Sequence, residues 1–203
     1  MLSRAATARV LARPLDVYEK LDGLNVGFAF EGPGRLVLLS RVYGALPLRA
    51  AGSELWRLSS WAGRHQARLW AVCGTRFAAF GEWLEPAFRV RYPALEGFMV
   101  FFDLLERATG EPVKSGRTRL MRTGLPVNPR LAHRRFASVE ALAALKAAPR
   151  FGARAREGLL LEQGPRRYKL VFSHYEKPPF ASLGRSSNGL RAGAEPRRVR
   201  CPW

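Results

Sequence analysis

Tyr18-Glu19-Lys20-Leu21-Asp22-Gly23-Leu24-Asn25 sets one lysine between two apolar runs, Leu15 to Tyr18 and Val26 to Phe30. The composition reads as a strand, a tight loop with Gly23, and a second strand. A lysine at such a junction can point into a cleft between sheets. Taken alone, these eight residues fit an exposed hairpin with one ordinary surface lysine better. Lys-x-Asp-Gly is short enough to arise by chance, so its meaning depends on the residues of the next 150 positions.

Outward from that stretch, residues 15–30 and 35–43 read as strands. Glu31-Gly32-Pro33-Gly34 between them is a turn by composition. The second run, Arg35-Leu-Val-Leu-Leu-Ser40-Arg41, stays apolar until Ser40-Arg41. This sets Arg41 at a strand end, beside the entrance of the same hairpin as Lys20. Residues 53–66 read as a helix capped by Ser53, with Leu55, Leu58 and Ala62 at helical spacing. Trp56, Trp61 and Trp70 read as core or interface. Arg76 to Trp83 is an apolar strand that turns acidic at Glu82, after Gly81. Residues 84–96 read as a loop, and Phe98 to Leu105 as a fully buried strand. Asp103 inside that strand needs a partner, because an isolated buried carboxylate is costly.

A turn over 106–112 leads into Lys114, Arg117, Arg119 and Arg122, which suit a phosphate-tracking surface or a solvated face alike. Gly124 to Pro129 is a loop, and Ser138 caps a helix from Val139 to Ala147 that Pro149 ends. The last core pair is a hairpin, Arg156 to Glu162 and Arg166 to Phe172. From about Glu176 the chain turns Pro/Gly/Ser/Arg-rich and reads as a disordered tail.

The 203 residues carry a formal charge of +18, which favours a polyanionic partner such as nucleic acid. A GC-biased genome, which enriches Arg and Ala together, accounts for part of that excess. Cys73 and Cys201 make no disulfide framework, and Cys73 reads as a buried thiol. The histidines, His65, His133 and His174, are scattered and outline neither a metal site nor a triad. No apolar run is long enough to span a membrane, and a cytoplasmic location is expected. The arginine-rich first 14 residues read as the start of the domain, not as a transit peptide.

Taken in order, the motifs are E-K-x-D-G-x-N (Glu19 to Asn25), S-R (Ser40-Arg41), G-E (Gly81-Glu82), F-D (Phe102-Asp103), E-G (Glu157-Gly158) and Y-K (Tyr168-Lys169). This order resembles the covalent nucleotidyltransferase superfamily of ATP-dependent ligases and capping enzymes, and within it the RNA ligase family. Asn25 and the Gly124-Leu-Pro126 loop ahead of Phe136-Ala-Ser138 are similar to that family. The resemblance covers residues 15 to 172; each motif is weak alone, but the ordered set is specific.

The resemblance implies an α+β, ATP-grasp-like ligase adenylation domain whose antiparallel sheets flank a nucleotide cleft. It spans residues 1–175, followed by a basic tail over 176–203. It implies Lys20 as the nucleophile that forms a lysyl-AMP from ATP with Mg²⁺, and RNA with 5′-phosphate and 3′-OH ends as the substrate. Arg41 and Glu82 would hold the ribose and shape the pocket, and Phe102 would stack on adenine. Glu157 would organise metal or phosphate, and Lys169 would contact phosphate. Asp22 and Asn25 would act around the 5′-phosphate end, with Glu19 and Gly23 completing the first motif.

Where the family commonly has K-x-K, this chain has Val171 in the second position. A catalytically degenerate RNA-binding relative is therefore one alternative. Another polynucleotide ligase or nucleotidyltransferase, acting on DNA or a capped end, is the other. With no OB domain expected after residue 172, the domain would grip nucleic acid through its own basic surface or an accessory protein.

Overall fold

The computed structural model describes residues 3–40, 44–47, 56–85, 90–95, 97–145, 151, 157–172 and 191–192. The expectations placed on Arg41, Ser53, Leu55, Ala147, Pro149, Arg156, His174 and Cys201 lie outside the described residues. In chain order the elements begin α1 (Arg4–Leu11), β1 (Leu15–Lys20), β2 (Leu24–Phe30), β3 (Leu36–Ser40), β4 (Gly44–Pro47), α2 (Trp56–Arg64) and α3 (Gln66–Cys73). They continue with β5 (Phe77–Trp83), β6 (Met99–Glu106), α4 (Gly116–Arg122), β7 (Arg130–Arg134), α5 (Val139–Ala143), β8 (Gly158–Gln163), β9 (Arg166–Val171) and β10 (Arg191–Ala192). The chain divides into two compact units. One holds the described residues of Met1–Asp22, Arg89–Ala94 and Pro129–Arg197; the other holds those of Gly23–Phe88 and Leu95–Asn128.

The first unit is built on an antiparallel sheet in the order β10-β9-β8-β1-β7. Leu15 and Val17 of β1, Leu159 and Leu161 of β8, and Tyr168 and Leu170 of β9 share a core with Val10 and Leu11 of α1, Phe136, and Leu142 of α5. The period of two in each strand sends alternate side chains to the opposite face. Both helices begin at serine caps. Ser3 Oγ accepts from the Ala6 N–H at 3.2 Å, and Ser138 Oγ accepts from the Ala141 N–H at 3.1 Å.

The second unit carries an antiparallel sheet in the order β4-β3-β2-β5-β6. Val26, Phe28 and Phe30 of β2 pack with Leu58 and Trp61 of α2, Leu69 and Val72 of α3, Phe101 and Leu104 of β6, and Leu120 of α4. On the other face Ala29 packs with Val37, Leu39, Ala78 and Phe80. Burial on both faces explains why β2 reads as a continuous apolar run.

Three expectations are corrected. β1 and β2 are not a hairpin: they enter different sheets, so the Gly23 loop is the crossing point between the two units. Trp56 is exposed, while Trp61 of the same helix is buried. The strand near residue 100 is an edge strand: Phe98, just before it, is exposed and Phe102 is half-buried. Of the basic stretch, Lys114 precedes α4, and Arg117, Arg119 and Arg122 lie on it. Of the expected tail, Arg191–Ala192 pair antiparallel with β9, opposite Lys169 and Tyr168. Among the described residues no helix is long and apolar enough to cross a membrane.

Candidate active site

Lys20 ends β1, where its Cα lies opposite Gly158 of β8. Its Nζ donates to the Glu157 carboxylate, from a residue 137 positions away in sequence. Both side chains are largely shielded, 23% and 13% exposed, so the pair is screened less than a surface ion pair. Glu157 is itself tethered, because its carbonyl accepts from the Phe172 N–H at 3.0 Å. The glycine of the E-G motif has a steric cause. A Cβ at Gly158 would stand 2.0 Å from the Leu170 carbonyl oxygen.

The sheet register fixes what shares a face with Lys20. Lys20, Gly158 and Val171 form one cross-strand row, and Tyr18, Leu160 and Lys169 form the row two residues away. Lys20 and Lys169 therefore lie on the same face, opposite the core of the unit. Val171 occupies the position across from Lys20 where a second motif lysine would stand. A third row continues along this face as His133, Asp16, Glu162 and Arg167. Burial opposes ionisation of Asp16. Hydrogen bonds and charge from Arg130 and His133, each at 2.8 Å, outweigh it and lower the Asp16 pKa. Arg167 pairs with Glu162 at 3.1 Å.

Glu19, beside the lysine, is buried. Asp22 is held twice by a segment distant in sequence. Its N–H donates to the Tyr92 hydroxyl oxygen at 2.8 Å, and its Oδ2 accepts from the Val90 N–H at 3.2 Å. Burial raises the Tyr92 pKa, and the Glu19, Asp22 and Glu157 carboxylates add to that against the opposing Asp22 hydrogen bond, so the phenol stays neutral. No motif marks Tyr92 or Val90, which lie 70 and 68 positions from Asp22. Sequence reasoning missed them because only the folded chain brings them to the loop.

The second unit holds the rest of the described set. The Gly23 N–H donates to Glu82 Oε1 at 3.2 Å, and a Cβ on Gly23 would meet the Trp83 carbonyl at 2.4 Å. Asn25 of β2 lies opposite Glu82 of β5 in the ladder, so the first motif and the G-E motif are register partners. Gly81 is equally constrained, with the Val100 carbonyl oxygen 2.4 Å from where its Cβ would be. The β5–β6 register shifts between Phe80 and Gly81, and Phe102 is the extra residue on β6. A bulge of this kind re-aims a side chain. Thus Lys20, Glu19, Asp22 and Glu157 gather in one unit with Lys169 on the same sheet, while Gly23, Asn25 and Glu82 gather in the other with Phe102 on the adjoining strand. Arg41 lies outside the described residues.

Two antiparallel sheets that carry these motifs on and beside their strands define an RNA ligase type of nucleotidyltransferase fold. Naegleria gruberi RNA ligase with PPi superposes with a TM-score of 0.60 at 16% identity, covering 83% of this chain and 53% of that one. A mutant of the same enzyme with ATP and Mn gives 0.62 at 16%, covering 83% and 54%. An archaeal ATP-dependent RNA ligase gives 0.50 at 24%, covering 77% and 41%. These likenesses establish the fold, and the chain spans about half the length of the Naegleria structures. No curated protein matches significantly in sequence. The RNA ligase family model matches residues 13–172, and the chain belongs to the RNA ligase family.

Proposed function

We propose that this chain is an ATP-dependent RNA ligase that works through a lysyl-AMP on Lys20. The observation that carries the reading is the Lys20–Glu157 pair, which joins the first motif to the E-G motif within one unit. Lys20 Nζ attacks the α-phosphorus of ATP. The N–P bond forms, the bond from the α-phosphorus to the bridging oxygen breaks, and pyrophosphate leaves. Attack needs the neutral amine, so one Nζ proton must depart, and Glu157 is the hydrogen-bond acceptor on that atom. AMP then passes to an RNA 5′-phosphate, and a 3′-OH displaces it to seal the strand.

Lys169, on the Lys20 face, would contact phosphate. Glu82 and Arg41 would hold the ribose, Phe102 would stack on adenine, and Asn25 and Asp22 would act at the 5′-phosphate end. Among the described residues no group of three His, Cys, Asp or Glu could hold a metal alone. Mg²⁺ would enter with the triphosphate, with Glu157 as the protein carboxylate beside it, because Mg²⁺ keeps waters and takes substrate phosphates as ligands. Such an ion would offset charge on the leaving pyrophosphate. We assign the catalytic role to residues 1–175 and a dispensable role in adenylation to 176–203.

The test is incubation with α-labelled ATP and Mg²⁺ on a denaturing gel, beside Lys20→Ala, then transfer to nicked RNA or DNA. Label on the wild type alone supports the reading, and transfer identifies the polynucleotide. A folded, unadenylated wild type that takes no label refutes it. Val171 in place of the second motif lysine favours RNA binding without sealing in that case.

A further inference from the structure

We infer that Tyr92 is a positioning residue for Lys20, acting through a two-bond clamp on Asp22. The inference rests on the reading of Lys20 as the adenylated nucleophile. The clamp takes hold two residues past Lys20. One bond uses the main-chain N–H of Asp22, given to the Tyr92 hydroxyl at 2.8 Å; the other uses its carboxylate, which accepts from the Val90 N–H at 3.2 Å. On the near side, Lys20 is fixed by the ladder opposite Gly158. The lysine thus sits between a sheet and a clamp, and the turn after it is not free to swing.

Tyr92 is suited to this work. It is only 4% exposed, so water does not compete for the Asp22 N–H. Its neutral hydroxyl can accept that bond at any pH near neutrality. No motif requires a tyrosine there, and the segment 90–95 adds nothing to either sheet. A nucleophile must meet its target within a few tenths of an ångström, and misplacement by 1 Å can cost about a hundredfold in rate. Loss of the hydroxyl leaves the Asp22 N–H without its acceptor and lets the turn relax, while the ring still fills its place.

The experiment uses the full chain with Tyr92→Phe. Single-turnover lysyl-AMP formation is followed across ATP concentrations, and hydrogen exchange is followed at the Asp22 amide. The expected result is a fall of about tenfold or more in the rate at saturating ATP. The half-saturating ATP concentration changes less than about threefold, because the clamp orients the amine and does not bind nucleotide. The Asp22 amide exchanges faster. A labelled wild type with a variant rate within twofold overturns the clamp and leaves the proposed ligase chemistry standing. If the wild type takes no label, the ligase reading fails by itself, and unchanged Asp22 exchange in Tyr92→Phe then overturns the clamp separately. If Tyr92→Phe does not fold, hydrogen exchange at the Asp22 amide of the wild type decides. Protection comparable to that of the β1 amides is expected, and exchange at the rate of an open loop overturns the clamp.

Discussion

Gly158→Ala tests how closely the sheet and the site are joined. The added methyl would lie 2.0 Å from the Leu170 carbonyl oxygen and 3.0 Å from both the Leu170 carbonyl carbon and Val171 Cα. All three are backbone atoms, so no side chain can turn aside. The β8 and β9 strands must part by about 1 Å at this pair, and overpacking of this kind costs about 1–3 kcal/mol. In a chain of this size each kcal/mol lowers Tm by about 2–4 °C, so a fall of roughly 2–12 °C is expected. The displaced residue lies opposite Lys20 and adjoins Glu157. Labelling from ATP is expected to fall by about tenfold to a hundredfold through misplacement of the pair. The control is Gly63→Ala on α2, where nothing lies within 4 Å of the new methyl and helix propensity favours alanine. Circular dichroism melts and gel labelling of both variants decide the matter. A Gly158→Ala protein that melts within about 1 °C of wild type and labels normally would show that the close approach has no such consequence.

Three further outcomes are expected at individual residues. Asp16→Asn is expected to destabilise by less than about 1 kcal/mol at pH 7, since the partners are half-exposed. The folded Asp16 pKa is lowered, so its contribution is present above the ordinary value of 3.8 and disappears as pH falls through the folded value. Urea titrations at pH 7 and well below pH 4 must therefore show the wild-type advantage shrinking in acid; an advantage equal at both contradicts the assignment. The Cys73 thiol is buried and pushed up to about 12, mainly by burial. Iodoacetamide at pH 8 should leave its peptide unmodified until the protein is unfolded, and rapid native alkylation would disprove its inertness. Finally, Glu82→Ala removes the acceptor of the Gly23 N–H. Faster exchange of the Gly23 amide is the expected readout, and unchanged exchange would mean that the bond does not hold the loop.

Much of the fold was legible where the pattern is local. The 31–34 turn between β2 and β3, the hairpin of β8 and β9, the β5 strand and the Ser138 cap are all written in neighbouring residues. β7 was missed because Arg-Leu-Ala-His-Arg is exposed or half-buried along its length and shows no apolar alternation. The reading of helix 53–66 stopped short of α3. Trp56 was misplaced because an aromatic residue raises the expectation of burial, yet its position on α2 turns it away from the face that carries Leu58, Trp61 and Ala62.

For the site, the chain alone set the order of motifs, the lysine between two apolar runs, and the glycines that let backbones approach. These are properties of residue type and short spacing. Only the tertiary structure decided that β1 and β2 part into separate sheets at Gly23, that Glu157 meets Lys20, and that Tyr92 holds Asp22. Strand partners and hydrogen bonds across 70 or 137 positions carry no local signature. They are selected by which apolar faces can be buried together, and that choice belongs to the whole chain.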